Sequence, residues 1–196
     1  MNDQDPLLSS RFEKALYYTF QLHTGQTRKK STTPYIAHLL SVTALVLEAG
    51  ADEDVAIAAL LHDAVEDRGG FDTLEEIRQR FGVRVASIVD ECTDAYVTPK
   101  PPWRERKDAY IAHLHEATPE ASLVSLADKL HNARSILRDL RIHGEETWDK
   151  FNGGKAGTLW YYRTLLEVFQ ESMSGPLVDE LERVVTDIRR LAEEED

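Results

Sequence analysis

The sequence has little cysteine and no long apolar run, and each shortage excludes a class of protein. Cys92 is the single cysteine among 196 residues, so no intrachain disulfide can form and a cytoplasmic location is expected. The apolar run AIAALL at 56–61 is far too short to span a membrane. Residues 1–13 lack a basic segment followed by an apolar one, so no signal peptide is expected.

Positive charge is also scarce. The chain has 23 Lys and Arg against 35 Asp and Glu, which gives a net charge of −12. Such a surface disfavours binding to nucleic acid or to an anionic membrane. A polyanionic ligand would therefore have to meet a metal ion or a local basic patch, and the run Arg28, Lys29 and Lys30 is one such patch.

No segment alternates apolar and polar residues over a useful strand length, whereas helical spacing recurs throughout. The sequence therefore predicts an all-α fold, a single helical domain of roughly eight to ten helices. One helix is expected over 34–48, with Thr33 as its N-cap. Thr73 resembles the start of a capping box for a helix that ends at Phe81.

Gly175-Pro176 is the strongest late boundary, so we expect a domain over 1–172 and a C-terminal amphipathic helix over 173–196. Apolar residues step along that helix by four and three positions, at Leu177, Leu181, Val184, Ile188 and Leu191. This seam predicts that the helix docks on the domain, and pairing with a partner helix in a homo-oligomer is the alternative.

The segment AALLHDAVED at 58–67 places one imidazole and three carboxylates directly after apolar residues. On a continuous helix, His62 would share a face with Glu66, and Asp63 with Asp67, because residues four apart are neighbours. Buried carboxylates are costly unless they are paired or bind a metal. For this segment alone, a solvated helix end with a satisfied histidine is an equally good interpretation.

Two more predicted helices each carry one polar residue among apolar residues that are expected to be buried. His38 lies in the helix over 34–48, which is apolar on nearly all sides. Asp128 lies beside the apolar stripe of a helix that is predicted to start with Thr118 and Pro119 and to end near Leu140. A carboxylate there is again expensive without a partner.

Together these positions make a mixed nitrogen and oxygen donor set. The candidate metal ligands are His38, His62, Asp63 and Asp128. Two imidazoles and two carboxylates suit a six-coordinate divalent ion better than a closed structural zinc site. Such an ion acidifies water, and Glu66 and Asp67 lie one turn beyond the ligand pair, where they could orient or deprotonate it.

The longer motifs resemble a known family. From the N-terminal side, these motifs are HTGQTRKK, TPYIAHLL, AALLHDAVED, TLEEIRQRFG and LVSLADKLHNAR. In order and spacing they resemble the hydrolase domain of RelA/SpoT-type alarmone enzymes, within the HD superfamily of metal-dependent phosphohydrolases. They resemble most the stand-alone small alarmone hydrolases, and the resemblance covers residues 12–140.

The resemblance implies an activity and assigns roles to residues. The family domain is all-helical, usually binds one Mn²⁺, and removes the 3′-pyrophosphate from ppGpp and pppGpp. Its pattern assigns the metal to His38, His62, Asp63 and Asp128. It assigns water activation to Glu66 and Asp67. It assigns nucleotide binding to Arg28, Lys29 and Asn132, with Arg28 stacking on the guanine and Lys29 meeting phosphate or base. Beyond residue 140, where the match weakens, a family tyrosine often contacts the nucleotide. Tyr161 or Tyr162 could serve, with Tyr161 preferred, and core packing of these aromatic residues is an equally good interpretation.

Two other functions remain open at this point. One is an HD phosphohydrolase of another nucleotide, such as an adenine alarmone, the 2′-phosphate of NADPH or a nucleoside monophosphate. The other is an inactive HD-type module that senses nucleotides or binds a partner. The expected partner is a small nucleotide in each enzymatic case, with no nucleic acid and no membrane. The loop 97–103 and the segment 148–162 depart from the family pattern, which leaves the base preference open.

Overall fold

The computed structural model describes residues 7–94, 96 and 101–194, and over these ranges the protein is all-α. The described residues form ten α-helices, one 3₁₀ helix and a single isolated β-bridge, between Thr27 and Pro34. The prediction of an all-α fold with roughly eight to ten helices is therefore confirmed. No helix in the described part of the chain is long and apolar enough to cross a membrane. In the predicted loop 97–103, residues 97–100 lie outside the described residues.

The chain forms two compact units, Met1–Tyr96 and Val97–Asp196. The first contains α1 (Ser10–Leu22), α2 (Ile36–Glu48), α3 (Glu53–Leu61), α4 (Ala64–Arg68), α5 (Phe71–Phe81) and α6 (Val83–Cys92). The second contains α7 (Trp103–Leu114), α8 (Pro119–His143), the 3₁₀ helix (Gly144–Lys150), α9 (Gly154–Ser172) and α10 (Pro176–Glu194). The predicted division at residue 173 falls inside the second unit, and it stays a prediction.

Helix α3 forms the centre of the first unit. Its residues Val55–Leu61 are all buried, as expected of a helix that is apolar on every side. Helices α1, α2 and α6 pack around it. Asp52 begins the helix, because its carboxylate accepts a hydrogen bond from the Val55 backbone N–H at 3.1 Å.

Two predicted helix starts in this unit are wrong. Helix α2 begins at Ile36, because Pro34 pairs with Thr27 in the β-bridge and Tyr35 occupies the N-cap position instead of Thr33. Helix α5 begins at Phe71, so Thr73 is a buried residue inside the first turn rather than a capping residue. In both places, contacts that a local cap motif does not encode decide where the helix begins.

Helix α8 forms the centre of the second unit. Thr118 caps it by accepting from the Ala121 N–H at 3.3 Å, and Pro119 stands in its first turn, as predicted. The 3₁₀ helix, α9 and α10 pack against it. Helix α10 buries an apolar stripe made of Val178, Leu181, Val184, Val185, Ile188 and Ala192. The ion pairs Arg134–Glu180 and Arg141–Asp187 join α8 to α10 at 2.9 and 3.2 Å.

Trp103, the first residue of α7, packs against glycines of the second unit. A Cβ atom on Gly153 would lie 2.7 Å from the indole, and one on Gly157 would lie 3.1 Å from it. The indole also lies edge-on to Trp160 and Tyr161, with ring centroids 6.2 and 6.3 Å apart. Trp160 and Tyr161, from the segment 148–162 that departs from the family pattern, therefore form an aromatic cluster with Trp103.

Candidate active site

His38 lies in the first turn of α2 and is almost completely buried, with 1% of its surface exposed. Its backbone N–H donates to the Tyr35 carbonyl at 2.9 Å, which fixes the start of the helix. The imidazole contacts two rings edge-on, Tyr35 at 5.6 Å and His62 at 5.3 Å between centroids. The histidine therefore belongs to a cluster of rings rather than to the aliphatic core.

The helix that carries AALLHDAVED is broken at its polar residues. Helix α3 ends at Leu61, and α4 begins at Ala64, so the predicted continuous helix is wrong here. The His62 imidazole donates from Nδ1 to the Ala59 carbonyl at 2.8 Å. The last carbonyls of a helix have no intrahelical partner, so this side chain stabilises the helix end. The break places His62 and Asp63 between two helices rather than on one helical stripe.

Three side chains of the first unit converge at this break. Oδ2 of Asp63 lies 3.2 Å from Nε2 of His62 and 3.5 Å from Nε2 of His38. Because Nδ1 of His62 carries the proton that it donates to Ala59, its Nε2 presents a lone pair to this space. Donor atoms bound to one ion at right angles lie about 3 Å apart, so the spacing fits a divalent metal site.

Tyr35 supports this cluster from outside. Its hydroxyl donates to Oδ2 of Asp63 at 2.5 Å, the same oxygen that faces the two imidazoles. A hydrogen bond of this kind fixes the rotation of a ligating carboxylate. The Tyr35 ring also stacks on His23, with centroids 5.3 Å apart.

Glu66 and Asp67 both lie in α4, directly after His62 and Asp63. Glu66 is half-buried and Asp67 is exposed. Oδ2 of Asp67 accepts a hydrogen bond from Nε2 of Gln26 at 2.7 Å. Asp67 thus stands at the surface beside a cleft of about 380 Å³ lined by Thr24, Gly25, Gln26, Asp67 and Arg68.

In the second unit, Asp128 lies on α8 and is buried. Both of its oxygens accept hydrogen bonds, one from Lys129 at 2.5 Å and one from Asn132 at 2.6 Å. Burial by itself lowers the pKa of Lys129, but the adjacent Asp128 carboxylate raises that pKa well above its usual range. Lys129 is therefore charged and offsets the cost of burying Asp128.

The residues predicted to bind the nucleotide are spread over both units. In the first, the Arg28 guanidinium lies 5.6 Å from the centre of the Tyr35 ring, and Lys29 is exposed. In the second, Tyr161 is 6% exposed and lies under the Lys107 ammonium at 5.0 Å. Asn132 is engaged with Asp128. Their role in binding a nucleotide stays a prediction.

The pattern of histidines and aspartates has a counterpart in a known family. Residues 15–158 of this chain match the HD domain family, and this span includes all four predicted metal ligands. The chain belongs to the HD domain family.

Among HD proteins, the similarity extends to particular enzymes. The chain is 41% identical over 140 residues to the guanosine-3′,5′-bis(diphosphate) 3′-pyrophosphohydrolase MESH1 of Xenopus tropicalis, covering 70% of this chain and 73% of that one. Identity to the human enzyme of the same name is 39% over 140 residues, with the same coverage. A solved structure described as a metazoan ortholog of SpoT that hydrolyses ppGpp aligns with a TM-score of 0.75 and 30% identity. That alignment covers 92% of this chain and 96% of that one.

Within this HD fold, three residues escaped the sequence analysis. Tyr35, Gln26 and Lys129 each bond a predicted site carboxylate. All three lie within quoted motifs, but the partners of Tyr35 and Gln26 are 28 and 41 positions away in sequence. Lys129 offered a local signal, because a cation directly after a buried aspartate is a ready partner for it.

Proposed function

We propose that this chain is a metal-dependent hydrolase that removes the 3′-pyrophosphate from guanosine alarmones. Water would convert ppGpp to GDP and pppGpp to GTP, with release of pyrophosphate. The observation that carries the proposal is the convergence of His38, His62 and Asp63 in a chain whose relatives are 3′-pyrophosphohydrolases. We also propose the cytoplasm as the place of action, from the sequence features described above.

The proposed metal ligands are His38, His62, Asp63 and Asp128, and the proposed ion is Mn²⁺. The imidazoles and the carboxylates of this set match the preference of such divalent ions for nitrogen and oxygen donors. When bound, a divalent ion supplies Lewis acidity at a phosphoryl oxygen and lowers the pKa of water. Tyr35 and Lys129 hold two of the carboxylates in place for that role.

Glu66 and Asp67 are the proposed residues that orient and deprotonate the attacking water. Both follow the ligand pair within a single turn of α4, and the exposed Asp67 can meet water directly. A carboxylate that takes a proton from water in the transition state contributes about 10²- to 10⁴-fold to the rate.

Four further residues are proposed to bind the nucleotide: Arg28, Lys29, Asn132 and Tyr161. Arg28 already lies over the Tyr35 ring, at a distance that suits stacking of a guanidinium on an aromatic face. We propose that the guanine base stacks on this guanidinium and that Lys29 meets phosphate or base. A homo-oligomer is a further proposal, and its interface would lie outside the apolar stripe of α10, which is buried within the second unit.

A product analysis tests the proposed function. The Mn²⁺-loaded protein would be incubated with ppGpp, pppGpp, an adenine alarmone, NADPH and GMP, and the products separated by anion-exchange chromatography. We expect GDP and pyrophosphate in equal amounts from ppGpp, and loss of both in Asp63→Ala. Release of orthophosphate alone would point to a phosphomonoesterase. Binding without any product would point to a sensing module.

A further inference from the structure

We infer that Gln26 is a positioning residue that holds Asp67 for catalysis and keeps the neighbouring Arg68 away from it. The inference rests on the proposed function, in which Asp67 acts on water. It concerns a side chain outside the metal ligands and outside the residues assigned to the nucleotide. Three properties of Gln26 carry it: a fixed backbone, a fixed amide orientation, and a charged partner on each end of the amide.

The backbone of Gln26 is held on both sides. Its N–H donates to the His23 carbonyl at 3.0 Å, and its own carbonyl accepts from the Tyr35 N–H at 2.9 Å. The bridge between Thr27 and Pro34 follows directly. Gln26 therefore stands at the base of a closed loop, and its side chain starts from a defined point.

The amide of Gln26 has one favourable orientation, because opposite charges face its two ends. Nε2 donates to Oδ2 of Asp67 at 2.7 Å, and Oε1 accepts from the Arg68 guanidinium at 2.5 Å. A flipped amide would place its N–H groups against the guanidinium and its oxygen against the carboxylate. Both contacts would be repulsive, so the charges of two consecutive residues orient the amide.

His23 strengthens this orientation. Its Nδ1 lies 2.8 Å from Oε1 of Gln26, so the ring donates to the oxygen that also accepts from Arg68. The ring is buried and stacks on Tyr35, whose hydroxyl holds Asp63. One closed loop therefore supports a proposed metal ligand through Tyr35 and the proposed water-activating carboxylate through Gln26.

The arrangement has two chemical consequences for Asp67. With Oδ2 held by Gln26, the carboxylate has a fixed rotation, and Oδ1 is left to accept a proton from water. Arg68 follows Asp67 directly in sequence and would otherwise be drawn onto its charge. By binding Arg68 through Oε1, Gln26 keeps that cation from an ion pair that would occupy the Asp67 carboxylate in place of water.

Steady-state kinetics with ppGpp on Gln26→Met test the inference. Methionine is similar in length but cannot donate or accept at these positions, so we expect kcat to fall about tenfold or more with KM changed by less than about twofold. Gln79→Met is the matched control, because the Gln79 amide also donates to a carboxylate, that of Glu75 at 3.1 Å, on the exposed face of α5. The control should keep wild-type kinetics.

A double-mutant cycle separates positioning from a general loss of structure. If Gln26 acts through Asp67, then Gln26→Met in an Asp67→Asn background should lower kcat by less than about twofold further. Additive losses, or a fall in kcat for Gln79→Met equal to that for Gln26→Met, would overturn the inference. So would an unchanged kcat in Gln26→Met.

Failure of the inference can be told apart from failure of the proposed function. A wild-type protein that releases no pyrophosphate, or an Asp67→Asn variant with full activity, would contradict the proposed function itself. If Gln26→Met does not fold, Gln26→Glu serves instead. The glutamate keeps an acceptor for Arg68, but it places a carboxylate oxygen against the Asp67 carboxylate, and the two repel each other. We expect it to lower kcat at least as much as the methionine would, and unchanged kcat would again overturn the inference.

Discussion

Asp63 and Asp67 lie one helical turn apart but stand in opposite surroundings. Asp63 is enclosed by two imidazoles and the Tyr35 hydroxyl, whereas Asp67 is exposed and touches the Gln26 amide. A carboxylate that faces two imidazoles suits a metal ligand, and an exposed carboxylate suits proton transfer with water. The same residue type therefore has two proposed roles, which substitution can separate.

Asp63→Ala should lose the metal, whereas Glu66→Gln and Asp67→Asn should retain it. We expect the latter two to lower kcat by about 10²-fold or more, the lower end of the range for acid–base groups. Metal content after dialysis, measured by atomic emission, and kcat for ppGpp check both halves. If both α4 variants keep full activity, these residues are only a solvated helix end.

His23 should make the stability of the fold depend on pH. Burial lowers the pKa of its imidazole below the usual value, and Arg68 lowers it further, although Gln26, Asp67 and Asp63 oppose this shift. The His23 imidazole therefore binds a proton more readily in the unfolded chain than in the folded one. For this reason the free energy of unfolding rises with pH. The contribution of His23 is fully present above about pH 6.5 and is lost as the pH falls through the lower folded pKa.

Urea unfolding of the wild type and of His23→Gln at a series of pH values from about 7.5 to 5 checks this effect. Glutamine can still donate to Gln26 but cannot titrate. We expect the stability of the variant to fall less steeply with acid, by at most about 1.4 kcal/mol per pH unit for one proton. Parallel curves for the two proteins would contradict the prediction.

At the scale of the helix, α10 should contribute strongly to the second unit. Leu181 is fully buried where α10 packs on α8 and α9. Leu181→Ala should lower the free energy of unfolding by about 2–5 kcal/mol, the usual cost of such a truncation in a core. Arg189→Ala, on the exposed face of the same helix, is the control. Urea unfolding followed by circular dichroism would measure both, and a loss as small as that of the control would contradict the prediction.

Helices were easier to predict from the sequence than the points where they begin and end. Apolar spacing and a cap such as Thr118 are local, so α8 was predicted to begin where it does. The break at His62 was not, because AIAALL continues smoothly into it and the interruption depends on an imidazole that bonds its own helix end. The start of α5 at Phe71 was missed because Thr73 imitates a cap but is buried.

For the site, too, local signals were predictable and contacts between distant residues were not. Polar residues on apolar helices are visible in one sequence, because burying them needs an explanation, and His38 and His62 were predicted on that ground. Their supporting partners were not, since Tyr35 and Gln26 make ordinary contacts that depend on a loop closing on itself. The roles proposed for Arg28, Lys29, Asn132 and Tyr161 toward a nucleotide came from the resemblance and not from local pattern.

For the whole molecule, the net charge of −12 opposes the approach of a polyanionic nucleotide. Lys29→Ala should therefore raise KM for ppGpp, and the loss should shrink at high salt because the attraction is partly screened. Lys30→Asn is the matched control, since Lys30 has a left-handed backbone (φ 52°) that asparagine tolerates. Kinetics at low and high ionic strength would test this, and equal effects at both positions would mean that the run is only a charged loop.

Metal binding should also stabilise the whole fold. The proposed ligands lie between positions 38 and 128, so unfolding of the chain would separate them. At an Mn²⁺ concentration about 100 times its Kd, the gain is about 2.7 kcal/mol, which corresponds to a rise in Tm of about 5–10 °C. Calorimetry with and without EDTA measures it, with Asp63→Ala as control. No shift on adding the ion would contradict the proposed site.

The three tryptophans, Trp103, Trp148 and Trp160, all belong to the second compact unit. Intrinsic tryptophan fluorescence therefore reports on that half of the chain. The half that carries His38 and His62 contributes no tryptophan signal. Circular dichroism reports on helices in both. Comparing the two signals during unfolding would show, without any label, whether the halves lose structure together or in succession.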